Sequence, residues 1–159
     1  MNQAQWMEAA LGLAEEAAAE GEIPVGAVVV DRDGNIIGRG RNRRESGDPL
    51  GHAELYAISE AARAMGDWRL EGTTMVVTLE PCAMCAGALV NARVERLIFA
   101  THDPKAGFCG SLGNLVQDPR LNHRLVVETG LMEERARYLL QEFFRKLRQR
   151  DKTERWQSG

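Results

Sequence analysis

Val25-Gly26-Ala27-Val28-Val29-Val30-Asp31-Arg32-Asp33-Gly34-Asn35-Ile36-Ile37 is the stretch that decides the fold class. Val25–Val30 is a β-branched run and reads as a strand, Asp33-Gly34 is a strong hairpin-turn signal, and Ile36-Ile37 begins a returning strand toward Arg41. Upstream, residues 3–20 place Trp6, Ala10, Leu13 and Ala17 at helical spacing, with Gly21 as a stop. Downstream, residues 42–51 hold Ser46, Gly47, Asp48 and Pro49, and read as a loop that delivers the chain to His52. A second helix follows, with Leu55, Ile58, Ala62 and Met65 as its apolar stripe and Gly66 closing it. Thr73–Leu79 reads as a strand; Pro81 ends it, and a helix is expected from the cysteines to near Asn91. Leu97–Ala100 is another strand, residues 101–123 a long functional loop, and Leu125–Val127 a short fifth strand. From Glu133 to about Arg150 the pattern is one helix, apolar at Ala136, Leu139, Leu140, Phe143 and Leu147. Helices alternate with strands, which predicts an α/β fold with three α/β/α layers around a mostly five-stranded mixed sheet.

The 159 residues suit a single domain spanning 1–159, with no repeat, low-complexity segment or linker. At 44% hydrophobic and 27% charged the composition is ordinary globular, and no apolar run approaches the roughly 20 residues of a membrane span. Met1-Asn2-Gln3-Ala4-Gln5 lacks the basic-then-apolar pattern of a secretory signal. Three cysteines, two of them in one C-x-x-C, do not form a disulfide framework, so a reducing cytoplasmic setting is expected. Cys109 reads as a buried small hydrophobe. The net charge of −3 argues against a uniformly basic coat. A local patch is present all the same: after Phe144, Arg145, Lys146, Arg148, Arg150, Lys152 and Arg155 face only Asp151 and Glu154. Such a run on a helix end is commonly a solvated face, but beside an aromatic it also suits a single-stranded RNA loop.

His52-Ala53-Glu54 and Pro81-Cys82-Ala83-Met84-Cys85 together offer one histidine and two cysteines to a metal. A structural zinc site takes four protein ligands, whereas a catalytic one takes three and leaves a position for water. Cys82 and Cys85 share one face of a first helical turn, and a helix N-terminus favours the thiolates zinc requires. His52 and Glu54 can serve one site only if His52 lies at or before the first turn of its helix. A zinc ribbon would need more ligands, and Cys109, His102 and His123 have no partners at ligand spacing. A redox pair would leave His52-x-Glu54 unexplained. One Zn2+ per chain is therefore expected on His52, Cys82 and Cys85. A zinc with three ligands lowers the pKa of water from about 15.7 to about 7, enough to attack a ring carbon that bears an exocyclic amine. Glu54 is the acid placed to shuttle protons. Backbone N–H groups near Ala53 and Cys82 are candidates to stabilise the tetrahedral intermediate. Gly107-x-x-Gly110-x-x-Gly113 has no following Lys-Ser/Thr, which argues against a nucleotide-phosphate loop.

The H-x-E…P-C-x-x-C pattern is that of zinc-dependent nucleobase deaminases. Around it, Ile23-Pro24-Val25-Gly26-Ala27-Val28, Gly40-x-Asn42-Arg43 and Thr78-Leu79-Glu80-Pro81-Cys82-x-Met84-Cys85-x-Gly87-Ala88 resemble the bacterial tRNA-specific adenosine deaminases of the TadA type. Asp103-x-Lys105-x-Gly107-x-x-Gly110-Ser111-Leu112, Asn122-His123-Arg124 and Phe143-Phe144-Arg145 extend the likeness along nearly the whole chain. The resemblance implies a cytidine-deaminase-like fold and conversion of adenosine to inosine at the wobble position of a tRNA anticodon. It also implies a homodimer in which both subunits contact the anticodon stem-loop. Asn42 matches a residue that touches the target base, and Asp103 one that touches sugar. Asn122 and Phe144 match further RNA-contacting positions, and Lys105, with Arg145 and Arg148 of the basic run, joins them as a candidate substrate-binding residue. Taken singly, Asn42 is also a turn residue, Asp103-Pro104 a turn start and Phe144 a core residue. Two rivals share the metal motif: a deaminase of free guanine or cytosine, and a non-catalytic zinc-stabilised RNA-binding module.

Overall fold

The computed structural model describes residues 1–158. Helix α1 (Gln3–Ala19) opens with a reciprocal capping box between Asn2 and Gln5, which satisfies two otherwise orphaned N–H groups. Strands β1 (Gly26–Val30) and β2 (Ile36–Arg41) form the expected hairpin. Its connection runs from Asp31 to Asn35, and the Asp31 carboxylate accepts from the N–H groups of Asp33 and Asn35. Helix α2 (Ala53–Met65), strand β3 (Thr74–Leu79), helix α3 (Ala83–Asn91) and strand β4 (Arg96–Thr101) follow in alternation. After a long loop come strand β5 (Val126–Thr129) and helix α4 (Glu133–Ser158). The sheet order is β2-β1-β3-β4-β5; β1 pairs antiparallel with β2 and β3, while β3-β4 and β4-β5 are parallel.

Strand alternation divides the core into two layers. Val28, Val30, Val76, Ile98 and Ala100 face α1 and α4, burying Met7, Ala10, Leu11 and Ala136. Ala27, Val29, Met75, Val77, Leu97 and Phe99 face α2 and α3, burying Ala53, Ala57, Ala61, Ala86 and Leu89. The fold is thus the three-layer α/β/α arrangement with a five-stranded mixed sheet. Among the described residues, no helix is long and apolar enough to cross a membrane.

Two helix faces differ from the sequence expectation. On α1 the buried line is Met7, Ala10, Leu11, Ala14 and Ala17; Trp6 and Leu13 flank it, partly buried, and Trp6 Nε1 donates to Gly34 O at 3.1 Å. On α2 the buried line is Ala53, Ala57 and Ala61, while Leu55, Ile58 and Ala62 are half-buried and Met65 is exposed. The reason is steric. A Cβ on Gly38 would sit 2.1 Å from Ala57 O, and one on Gly40 would sit 2.0 Å from Ala53 O. The α2 backbone rests directly on β2, so the smallest side chains, rather than the largest, form its inner face. Hydrophobic periodicity alone misplaces that face, because it ranks leucine and isoleucine above alanine.

Candidate active site

Both parallel strands β3 and β4 end at the same edge of the sheet, and helices α2 and α3 begin there. Clefts outside the carboxyl ends of such strands are where open α/β sheets bind ligands. His52 is the residue before α2, with extended backbone (φ −93°, ψ 142°), and Glu54 lies in the first turn. The break in helical geometry at His52 turns it to the same side as Glu54, as the sequence required. Cys82 holds the same position before α3, with Cys85 in its first turn.

The His52 Nδ1 atom stands 3.5 Å from the sulfur of Cys82 and 3.5 Å from that of Cys85. All three ligand atoms lie within 4.8 Å of one another. For Zn–S near 2.3 Å and Zn–N near 2.05 Å, a tetrahedral angle puts N and S about 3.6 Å apart, so the donor set fits zinc in spacing as well as in type. Its charge balance fits too. The Cys82 thiol is drawn down to about 4 by hydrogen bonds from Cys85 and His52, against the cost of burial. His52 is raised, mainly through its hydrogen bond to Cys82. Cys85 is pushed up as the donor to Cys82 and by burial. A metal-free site therefore keeps the proton on Cys85, which a bound cation would displace.

Glu54 is 4% exposed and stands outside this ligand group. Burial pushes its carboxyl up to about 7, with His52 pulling the other way. A carboxyl poised near neutral pH in a cleft matches the requirement for a general acid–base group.

His52, Cys82 and Glu54 form the floor of a cavity of about 220 Å³, with Cys85 fully buried and outside its lining, and its walls include Ile23, Val25, Asn42, Arg44, Leu79, Asp103 and Ala106. Asn42 Oδ1 accepts from Ala53 N at 3.1 Å, so Asn42 satisfies an N–H at the start of α2 as well as lining the pocket. That bond occupies the Ala53 N–H, which removes it from the candidates for stabilising an intermediate. Asp103 Oδ1 accepts from Lys105 N (3.1 Å) and Ala106 N (3.2 Å), the turn-start geometry that the Asp103-Pro104 pair suggested. Beside it opens a second, apolar pocket where Lys105 and Phe144 meet Ile23, Leu79, Pro104 and Leu140. Arg148 is exposed one turn beyond Phe144 on α4. Arg145 is held by Glu142 at 2.8 Å and is less available than its sequence position implied. Asn122 is exposed in the loop before β5 and lines neither pocket. His123 instead binds the Val94 carbonyl at 2.7 Å. Cys109 is buried, with its thiol raised by burial.

Two acids at the rim had no assigned role in the sequence. Glu22 is buried and accepts from Glu45 N (2.9 Å) and Ser46 N (3.1 Å), fastening one rim loop. Glu80 is buried and accepts from the backbone of Asp103, Cys109 and Ser111, fastening the other. Burial raises the Glu80 carboxyl, but the Ser111 hydroxyl and these N–H groups outweigh it, and the net shift is downward. For Glu80 a faint signal existed: an acid closing an otherwise apolar strand just before Pro81. For Glu22 the sequence offered none.

Comparison with known proteins agrees with this geometry. The family model of MafB19-like deaminases matches residues 1–148. A curated tRNA-specific adenosine deaminase of Bacillus subtilis (strain 168) is 48% identical over 151 residues, covering 94% of this chain and 93% of that protein. The chain belongs to the tRNA-specific adenosine deaminase family. A structure from work on A-to-I editing by tRNA:A34 deaminases at the wobble position superposes with a TM-score of 0.81 at 42% identity, covering 86% of this chain and 99% of that one. A guanine deaminase from Nitrosomonas europaea shares the fold at a TM-score of 0.78 and 27% identity, over 89% of this chain and 84% of that one. The same layers thus also occur in a guanine deaminase.

Proposed function

We propose that this protein hydrolyses adenosine to inosine at the wobble position of a tRNA anticodon. The observation that carries the reading is the His52-Cys82-Cys85 triad with Glu54 buried beside it as an acid outside the ligand group. A purely structural metal site has no use for such an acid. When bound by these three residues, zinc supplies a Lewis acid that makes water nucleophilic near neutral pH. Glu54 receives one water proton as the oxygen adds to the amine-bearing ring carbon and delivers it to the adjacent ring nitrogen; it then takes the proton of the new hydroxyl and gives it to the exocyclic amine, so that the C–N bond breaks, ammonia leaves and the ring carbonyl of inosine forms. Its burial beside the triad places the carboxyl within the cavity where both transfers take place. Asn42, with its Oδ1 fixed by Ala53, offers its amide N–H groups to the base.

The substrate side rests on the family match and on α4. In this reading, an extruded adenine enters the zinc cavity, and neighbouring nucleotides of the loop meet Asp103, Lys105, Phe144 and Arg148. Arg145 and Asn122 contribute at the periphery. The protein works as a homodimer on the anticodon stem-loop, in the cytoplasm. The test is incubation of the zinc-loaded protein with total tRNA, then sequencing for adenosine read as guanosine. Inosine confined to the wobble position supports the proposal. Ammonia released from guanine or cytosine, with tRNA unchanged, would transfer the chain to the free-base group that the guanine deaminase likeness represents.

A further inference from the structure

We propose that Glu80 is a positioning residue: it locks the loop carrying Asp103 and Lys105 onto the turn that carries Cys82, and so sets where RNA meets the pocket. The inference rests on the tRNA reading above and deepens it. Glu80 Oε1 accepts from Asp103 N at 2.9 Å and from the Ser111 hydroxyl, and pairs with His102 Nδ1 at 3.2 Å. Glu80 Oε2 accepts from Cys109 N and Ser111 N, both at 3.0 Å. Two oxygens with about four lone-pair sites thus receive donors from residues on both limbs of one loop. The next two residues continue the seam. Pro81 O accepts from Phe108 N at 2.9 Å, and Cys82 pairs with Gly107 in an isolated antiparallel bridge.

The fit leaves no slack. A Cβ on Gly107 would fall 2.3 Å from the Glu80 carboxyl carbon. Asp103 is fixed three times over: its N–H by Glu80, its carbonyl by Gly107 N at 2.8 Å, and its side chain by the turn to Lys105 and Ala106. Only a carboxylate of this length meets the donors. A glutamine would aim an NH2 group at backbone N–H groups, and an aspartate would stop one methylene short.

The experiment compares zinc-loaded wild type with Glu80→Gln, Gly107→Ala and Ser111→Ala. Amide hydrogen exchange across residues 103–111 is read first. Faster exchange is expected in all three variants and least in Ser111→Ala, which loses one hydroxyl donor. On an anticodon stem-loop RNA, KM should rise about tenfold in Glu80→Gln with kcat within about threefold, since the loop places substrate while Glu54 and the triad do the chemistry. Zinc should remain at one per chain. Should Glu80→Gln fail to fold, Gly107→Ala and Ser111→Ala keep the native carboxylate and carry the same test. Unchanged exchange in the folded variants overturns the lock. So does faster exchange with an unchanged KM, or loss of zinc from a folded Glu80→Gln protein, which would place the residue in the metal turn instead. If wild type forms no inosine in tRNA, the function reading falls, and exchange alone decides whether the lock exists.

Discussion

The floor of the pocket is assembled from ends of regular elements: His52 before α2, Cys82 before α3 and Glu54 in the first turn of α2, backed by Cys85, fully buried in the first turn of α3. The rim is made of two loops, each tied down by a single buried acid, Glu22 on one side and Glu80 on the other. The floor inherits its rigidity from the packed core, so it can hold ligand atoms at tetrahedral spacing. The rim depends on hydrogen bonds from loop backbone rather than on core packing.

The sharpest break of this division is at the floor. Cys85→Ala should lose its zinc and all measurable turnover, and should melt at a lower temperature, because metal binding adds to folding free energy. Metal analysis and a thermal scan check it; a fully metallated variant would remove Cys85 from the ligand set. Next comes Glu54→Gln, expected to keep zinc and fold while losing roughly 100- to 10,000-fold in kcat, the range for general acid–base groups. Single-turnover kinetics beside a zinc assay decide it, and a near-native rate would refute the assigned role.

A third measurement uses the metal-free protein. Between the ordinary glutamate value of 4.5 and the folded value of about 7, Glu54 ionises in the unfolded chain but not in the folded one. Stability from this group should therefore fall as pH rises through that window and level off above it. Denaturation of wild type and Glu54→Gln across pH 4.5–7 reads the effect of Glu54 together with its pull on His52, and the fall with pH should be weaker in the variant. At the rim, Asp103→Asn keeps the oxygen that closes the turn to Lys105 and Ala106 and removes only the charge. It should narrow the preference for RNA over a matched DNA hairpin, because the carboxylate accepts from a ribose 2′-OH and repels a bare backbone. An unchanged ratio of turnover on the two hairpins would take Asp103 out of the sugar-sensing position. Smallest is the effect of neutralising Arg145, Lys146 and Arg148 together. Each lost phosphate contact should flatten the slope of log affinity against log salt by about 0.7, and Arg145, already held by Glu142, should contribute least.

The sequence made the floor readable because its chemistry depends on residue type and spacing. H-x-E and C-x-x-C say which atoms meet, and the loop ending at Gly51 says how His52 escapes the helix. The layer order was readable for a similar reason, since strands and helices alternate with clear stops. The rim was not, because Glu22 and Glu80 act on backbone N–H groups of loops 23–31 residues away, and a backbone donor leaves no trace in composition. The inner faces of α1 and α2 were misread in part for a further reason. Periodicity scores how apolar a residue is, whereas α2 chose its face by how closely it could approach β2.

That close approach ties the candidate metal ligands to a strand that contributes none of them. The carbonyl nearest to Gly40 belongs to Ala53, the residue between His52 and Glu54. A single methyl at position 40 would lift the start of α2 and carry the imidazole and the proton-shuttling acid away from the two sulfurs together. Gly40 thus works as a spacing gauge: the sheet edge, by what it lacks, sets how far His52 stands from the two sulfurs that could share a metal with it.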